Sequence, residues 1–349
     1  MKRTLKSPIT GNDMVLCREK RTIPFRKEEF EIMYHFYKDT DGEQYTEEFT
    51  DEVNINQVYN QYRERFKLPY PDEIKAIRTK YDLSAAKMSD VLGFGVNVWR
   101  NYEAGEVPSE SNARLIQVAN DEVEFAKLVK LSAHLEEKSK EKIIARIEEM
   151  RKANDGWQTV FGTEEFLMGS KSSSDLPDKF TGYRRPSLER TLELIKFFTA
   201  KLAPHLYKTR LNKLLFYADF RHFQLHGVSI TGGRYRAIQM GPVPVQYASL
   251  YEYAQREGHI KLNELEMNDG GIIGQFMPLT SAPFNAELFE ESELAALNEV
   301  CEQFKNTTAK EIENISHEED AWKQHEKEHT VIDYNLAFGL KAFDKQDKS

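Results

Sequence analysis

Hydrophobic residues recur at helical spacing in two short stretches that flank a glycine-rich turn between residues 83 and 105. The apolar positions of the first stretch are Leu83, Met88, Val91 and Leu92. Gly93-Phe94-Gly95 would end this helix, because glycine adopts left-handed and crowded backbone conformations that other residues avoid. The second helix is expected to begin near Val96 and to end at Gly105. This pattern predicts a helix-turn-helix, although a helical hairpin inside an α-rich core would show the same spacing.

The second helix carries side chains of the kind that base recognition requires. Asn97 can bond an adenine edge and Arg100 a guanine edge, each through two hydrogen bonds. The second helix of such a motif lies in the DNA major groove. The residues predicted to contact DNA are Ser84, Lys87, Asn97, Trp99, Arg100 and Asn101.

Three further helices are predicted around this motif. Pro71, which two acidic residues follow, suits the first turn of a helix, because proline fixes φ and acids favour the positive end of the helix dipole. Two helices follow the motif, at residues 111–120 and 121–131. We therefore predict a five-helix DNA-binding domain of the Cro/repressor type over residues 67–131.

The preceding residues 1–66 have a different pattern. Strand-like segments near residues 17–24 and 29–37 precede a turn at residues 39–42. Apolar residues spaced four apart then predict a helix over residues 54–66. These elements indicate a small α+β module.

Charged and small residues separate the two halves of the chain. Residues 135–153 predict a charged helix with few apolar positions, which we interpret as a solvated connector; a dimer contact is the alternative. Residues 168–187 are rich in serine, lysine, glycine and proline, and they predict a flexible linker. Connector and linker together would occupy residues 132–186.

The second half, residues 187–349, is expected to be mostly helical. Its predicted elements are a helix from Leu188 that Pro204 ends, a helix over residues 209–225, a strand over residues 234–240, a helix that Pro242 and Pro244 begin, a hairpin over residues 264–279 that turns at Asn268-Asp269-Gly270-Gly271, and helices over residues 294–304 and 308–314. The predicted fold class of the whole chain is mainly α with small β elements (α+β).

Charge limits where nucleic acid could bind. The chain has 349 residues and a formal net charge of −9. A protein that binds nucleic acid over its whole surface would be basic, so any DNA contact must be local. Basic residues are concentrated in residues 1–30, whereas residues 40–52 and 286–328 are acidic. This distribution suits a regulator that also binds a protein partner.

Composition also indicates the cellular setting. No apolar run approaches 18 residues, and the N-terminal basic residues precede no apolar signal segment. The cysteines are Cys17 and Cys301, too few for a disulfide framework or a four-thiolate zinc site. We expect a cytoplasmic protein with no membrane contact, no cofactor and no bound metal.

Candidate catalytic patterns are weak. Residues 325–329 match the HExxH pattern of zinc peptidases, but the segment is polar on all sides and no Glu follows Glu328 as a third ligand. His222 and His226 also stand four apart, without an acid or thiol nearby in a metal-binding pattern, which favours a packing or surface role. Asp219, Arg221 and Arg236 are expected in ion pairs or partner contacts. We predict that the chain is not an enzyme and has no catalytic residues; a metallopeptidase is the low-ranked alternative.

Residues 92–105, LGFGVNVWRNYEAG, resemble the helix-turn-helix of the MqsA/YgiT-type antitoxins. The resemblance places that family's base-contacting asparagine on Asn97. Its second base contact is an arginine directly before the tyrosine, and Asn101 occupies that position here, so the target sequence should differ. The family's zinc module opens with Cys-Pro-x-Cys-Gly, whereas this chain has Ser7-Pro8-Ile9-Thr10-Gly11. The resemblance therefore implies a zinc-free relic of that module at residues 1–66, in which hydrophobic packing replaces the metal.

The second half is similar to the Panacea domain of SocA- and GepA-like antitoxins. Three segments carry this resemblance in the expected order: residues 208–219, 240–244 and 315–322. The family implies a mainly helical domain that neutralises a toxin by direct binding. The residues that we predict to contact a toxin are Lys208, Lys213, Tyr217, Asp219, Tyr235, Met240, Pro242 and Trp322.

Both resemblances together predict an antitoxin of a type II toxin–antitoxin system. Its expected partners are a cognate toxin and its own operator DNA, which helix-turn-helix proteins bind as dimers, so we expect a homodimer. The alternative function is a mobile-element transcription regulator or a proteolytic adaptor without a toxin partner.

Overall fold

The computed structural model describes residues 4–154, 158–169, 176–266 and 272–343. The chain forms two compact units, Met1–Phe161 and Gly162–Ser349. The fold is mainly α with small antiparallel sheets, as the sequence predicted. None of the helices in these ranges is both long and apolar enough to cross a membrane.

The first unit begins with four strands and continues with helices. Its elements are β1 (Thr4–Lys6), β2 (Asp13–Phe25), β3 (Glu28–Lys38), β4 (Gln44–Tyr45), α1 (Glu48–Phe66), α2 (Pro71–Lys80), α3 (Ala85–Leu92), α4 (Val98–Glu103), α5 (Glu110–Val118), α6 (Glu122–Leu131) and α7 (Glu137–Asn154). Helix α8 (Gln158–Met168) follows and leads into the second unit.

The strands form one antiparallel sheet in the order β1-β2-β3-β4. Arg26 and Lys27 link β2 to β3 with φ values of 47° and 70°, the backbone of a two-residue hairpin turn. Helix α1 begins six residues earlier than predicted. The amide side chains of Asn54 and Gln57 bond both backbone groups of His35 and Met33, respectively. The helix therefore satisfies the edge of β3 that the sheet leaves open.

Helices α2 to α6 are the five helices predicted for residues 67–131. Their core contains Trp99, Ile116 and Phe125, each fully buried. Ile143 and Ile147 of α7 belong to the same hydrophobic cluster. The interpretation of residues 135–153 as a solvated connector is therefore wrong, because one face of α7 completes this core.

The second unit contains helices and two hairpins. Its elements are α9 (Leu188–Leu202), α10 (Lys208–His226), β5 (Tyr235–Ile238), β6 (Gly241–Pro244), α11 (Tyr247–Arg256), β7 (Ile260–Glu266), β8 (Ile272–Pro278), α12 (Glu291–Phe304), α13 (Ala309–Glu318) and α14 (Asp320–Lys323), with 3₁₀ turns at Ala286–Leu288 and Tyr334–Gly339. Most side chains of α10 are buried, so this helix forms the centre of the unit.

Two predictions for this unit need correction. Gly241–Pro244 forms a strand paired with β5, and the helix begins only at Tyr247, because the hairpin, not helix initiation, fixes the two prolines. Residues 176–187 are not a flexible linker: Thr181 and Tyr183 are buried, and Ser229 donates a hydrogen bond to the Thr181 carbonyl oxygen. The predicted hairpin turn at residues 268–271 and the linker residues 170–175 lie outside the described residues.

Candidate functional site

The predicted DNA-contacting surface lies on α3, α4 and the turn between them. Ser84 caps α3 by accepting a hydrogen bond from the Lys87 backbone N–H at 3.2 Å. Gly93 ends the helix with φ of 69°, a conformation that glycine adopts without strain. Asn97 lies directly before α4 and makes no capping hydrogen bond with its side chain. This geometry leaves the Asn97 side chain available for a ligand.

Three polar side chains on and before α4 are exposed and close in sequence. We call Asn97, Arg100 and Asn101 the α4 surface. Lys87 is also exposed, and its Nζ donates a hydrogen bond to Ser139 Oγ on α7 at 3.2 Å. An amide before α4 and a guanidinium and a second amide on it form a suitable set of groups for binding base edges.

Trp99 does not belong to this surface. Its side chain is fully buried, and its indole Nε1 donates a hydrogen bond to Glu103 Oε1 at 2.7 Å. Glu103 also pairs with Arg78 on α2 at 2.6 Å. The prediction that Trp99 contacts DNA is therefore wrong, because the core needs its volume and Glu103 takes its only donor. Trp99 instead anchors α4.

Asp219 on α10 is the last residue of the first segment that resembles the Panacea family. Its Oδ1 accepts hydrogen bonds from the backbone N–H groups of Ile230 and Thr231 at 2.8 and 2.7 Å. Its Oδ2 lies 2.6 Å from Thr231 Oγ1 and 2.7 Å from the Tyr235 hydroxyl. Burial raises the pKa of Asp219, while these hydrogen bonds act in the opposite direction. The carboxyl group thereby fixes the segment between α10 and β5.

Lys213 lies one turn and a half before Asp219 and is fully buried as well. Its Nζ donates a hydrogen bond to the Pro242 carbonyl oxygen at 3.0 Å, and burial lowers its pKa to about 7. Gly241 has φ of 92°, and a Cβ there would come within 2.6 Å of Lys213 Cε and Ser316 Oγ. Lys213 therefore holds β6 against α10 at a point where only glycine fits.

Tyr217 belongs to the same buried set. Its hydroxyl donates a hydrogen bond to Glu319 Oε1 at 3.2 Å, and its ring stacks on Phe304. Glu319 also accepts hydrogen bonds from the backbone N–H groups of Lys341 and Ala342. Glu319 was not predicted as a functional residue, although it lies in residues 315–322, one of the segments that resemble the Panacea family. A single acid in a charged segment gives no indication that it is buried.

Five predicted toxin contacts are therefore interior residues: Lys213, Tyr217, Asp219, Tyr235 and Pro242. As surface contacts these predictions are wrong, since buried polar groups that hold neighbouring elements cannot also face a partner. Lys208 and Met240 are exposed, the latter by 48%. Trp322 is partly buried, stacks on His317, and donates a hydrogen bond to the Ile238 carbonyl oxygen at 2.8 Å.

The two histidine patterns, residues 325–329 and the pair His222 and His226, make contacts within the second unit. Residues 325–329 form turns, not a helix, and His325 Nδ1 lies 2.7 Å from Thr330 Oγ1. His222 is buried, and its ring stacks on His226 with centroids 4.6 Å apart. Within the described ranges, no three His, Cys, Asp or Glu side chains are grouped to hold a metal ion. Arg221 forms the expected ion pair, with Glu299 at 2.6 Å.

Comparison with known families identifies part of the second unit. Residues 211–323 match the family model described as Antitoxin SocA-like, Panacea domain. A comparison with curated proteins found no match. Residues 211–323 are therefore similar to the SocA-like Panacea antitoxin domain, and a domain of this kind suggests a protein partner such as a toxin.

Proposed function

We propose that this protein is the antitoxin of a type II toxin–antitoxin system and that it represses its own operon. The second unit binds and blocks the toxin, and the five helices at residues 67–131 bind the operator. The observation that carries the proposal is the match of residues 211–323 to an antitoxin family.

Operator binding is supported by the α4 surface. Asn97, Arg100 and Asn101 are exposed, and their functional groups match the edges of adenine and guanine. The resemblance of residues 92–105 to the MqsA/YgiT-type antitoxins supports the same role. A homodimer would place two such surfaces on successive half-sites of the operator.

The first 66 residues fit the proposal as a metal-free relic of a zinc module. Phe30, Ile32, Val58 and Tyr62 form a hydrophobic cluster between the sheet and α1. Such packing would supply the stabilisation that a structural zinc ion supplies in related modules.

Toxin binding is proposed for the exposed part of the second unit. Met240 lies in the tip of the β5–β6 hairpin, and Trp322 bonds the same hairpin at Ile238. Lys208, at the start of α10, is exposed and lies 5.6 Å from the centre of the Tyr247 ring. An exposed methionine and a partly buried tryptophan are side chains that protein interfaces favour.

The deciding experiment expresses the full chain with the product of the adjacent gene. We expect that product to arrest growth alone, and we expect the full chain to restore growth and to co-purify with it. An adjacent gene without toxicity, together with operator binding, would instead favour a transcription regulator or adaptor.

A further inference from the structure

A cavity of about 640 Å³ lies in the second unit between residues 176–180, strand β5 and residues 330–331. Its walls combine apolar side chains with two arginines. Leu176, Phe180, Val245 and Val331 supply the apolar part, and Arg234 and Arg236 supply the charge. This composition suits an amphipathic group, not a purely apolar one.

The guanidinium group of Arg234 has an ion-pair partner, but not all of its donors form hydrogen bonds. Its Nη2 lies 3.0 Å from Asp178 Oδ2. The other oxygen of Asp178 accepts hydrogen bonds from the backbone N–H groups of Phe180 and Thr181. The Nε of Arg234 is buried without a hydrogen-bond partner among the described residues. A buried donor without a partner is costly, and an acceptor on a bound ligand that reached it would remove this cost.

Arg236 adds a second charge on the same side of β5. Side chains two residues apart on a strand point to the same face, so Arg236 projects beside Arg234. Arg236 is exposed and makes no ion pair with the described part of the chain. The backbone around Arg236 is held, because Ala237 N donates to Thr330 O and Ile332 N donates to Tyr235 O. The backbone that carries Arg236 is thus fixed, while its guanidinium group makes no ion pair with the described residues.

We propose that this cavity binds a carboxylate side chain of the partner protein, presented between apolar residues. Two arginines against Asp178 leave one positive charge, which matches a carboxylate better than a doubly charged phosphate. The apolar walls would cover the aliphatic neighbours of that acid. The inference rests on the proposed function for the identity of the partner, and the site lies on the same hairpin as Met240.

The first test uses a short peptide and needs no toxin. The probe is acetyl-Leu-Glu-Val-amide, with acetyl-Leu-Gln-Val-amide as its neutral counterpart, titrated against the full chain by saturation-transfer NMR at constant ionic strength. We expect the neutral peptide to bind about tenfold more weakly, and Arg236→Gln to lower the affinity for the acidic peptide by about the same factor. Arg256→Gln is the matched control, an exposed arginine on α11 that pairs with its neighbour Glu257 and lies over the Tyr253 ring.

Equal affinity of the wild type and Arg236→Gln for the acidic peptide would overturn the proposal. Stronger competition by inorganic phosphate than by the acidic peptide would also overturn it, because the site would then select a dianion. Circular dichroism and thermal unfolding of each variant show whether a lost signal reflects lost binding or lost folding.

The second test uses the product of the adjacent gene with the full chain. We expect Arg236→Glu to weaken that complex at least tenfold and Arg256→Glu to leave it intact. A complex unchanged by Arg236→Glu would overturn the site as a partner contact. No complex with the wild type, together with selective binding of the acidic peptide, would instead refute the proposed toxin partnership and leave the carboxylate site standing.

Discussion

The two units treat their motif residues in opposite ways. In the first unit, the polar residues Asn97, Arg100 and Asn101 are exposed, and the described contacts leave the Asn97 side chain without a capping bond. In the second unit, the polar residues Lys213 and Asp219 are fully buried and joined to neighbouring segments. A recognisable motif thus corresponds to a surface in one unit and to a framework in the other.

This difference determines whether replacing a motif residue affects folding or binding. A buried carboxylate with four hydrogen bonds cannot be replaced without leaving donors unsatisfied, so Asp219 specifies how the chain turns after α10. An exposed amide can be replaced at little cost to folding, so Asn97 is constrained only by what it binds. Substitutions should therefore separate folding from binding.

The largest expected effect is that of Asp219→Ala. The change leaves the N–H groups of Ile230 and Thr231 buried without an acceptor, and we expect the free energy of unfolding of the second unit to fall by about 3–5 kcal/mol. Pulsed hydrogen-exchange mass spectrometry in urea follows the peptides of the two units separately. Asp219→Ala should lower the urea midpoint for peptides of the second unit only.

Asn97→Ala is the contrasting variant in the same assay. It should change the free energy of unfolding of either unit by less than about 0.5 kcal/mol, because surface substitutions without structural contacts have small effects. If the two variants destabilised the chain equally, the distinction between surface and framework motifs would be untenable.

A pH-dependent effect is expected next, from the buried histidines of α10. Burial lowers the pKa of His226 to about 4, against about 6.5 in the unfolded chain. Between pH 6.5 and 4 the unfolded chain therefore binds the proton first, and stability falls as the pH falls. Above pH 6.5 both states are neutral and His226 has no effect. We expect His226 to contribute about 2–3 kcal/mol to this acid destabilisation.

His226→Gln should reduce that loss, measured as the change in protection of second-unit peptides by hydrogen-exchange mass spectrometry at pH 7 and 4.5. His134→Gln, which replaces an exposed histidine of the first unit, is the control. An unchanged pH dependence in His226→Gln would show that the ring is accessible to protons in the folded protein.

Operator binding gives a smaller expected effect, confined to the first unit. If the α4 surface contacts the operator bases, Asn97→Ala and Arg100→Ala should each weaken specific operator binding by about 1–3 kcal/mol, because each would remove a pair of base contacts. A gel-shift titration at fixed salt with the operon's promoter DNA measures the loss, and growth rescue from the toxin should be unaffected. Operator affinity that stayed the same in both variants would exclude the α4 surface as the base-contacting element.

Sequence patterns predicted the elements that hydrophobic spacing alone determines. The five helices of residues 67–131 and the long helix α10 follow from apolar residues three and four apart. The strand at Gly241–Pro244 does not, because proline also favours the first turn of a helix and only pairing with β5 decides between them. The packing of Ile143 into the core could not be predicted either, because a charged helix with few apolar positions is typical of a solvent-exposed helix.

Burial was the property that the sequence revealed least. Lys213 and Asp219 have charged side chains of the kind found on binding surfaces. Only the fold shows that their partners are backbone and hydroxyl groups of the same unit. Among the residues predicted to contact DNA, Asn97 and Arg100 are exposed, whereas Trp99 is buried. Side-chain chemistry indicates what a residue can bind, whereas the surrounding packing determines whether it binds a partner or its own chain.

The smallest effect on stability is expected for Met240, an exposed residue of the second unit that we propose to contact the toxin. Met240 is 48% exposed at the tip of the β5–β6 hairpin, so Met240→Ser should change the free energy of unfolding by less than about 0.5 kcal/mol. If the hairpin contacts the toxin, the same change should weaken the complex by about 1 kcal/mol or more, because it removes apolar contact area. Calorimetric titration of the full chain with the adjacent-gene product measures the second quantity, and Leu265→Ser on β7 offers a matched exposed apolar control. Equal losses for both variants would mean that the hairpin has no special role and that the second unit, unlike the first, presents its binding surface away from its recognisable motif.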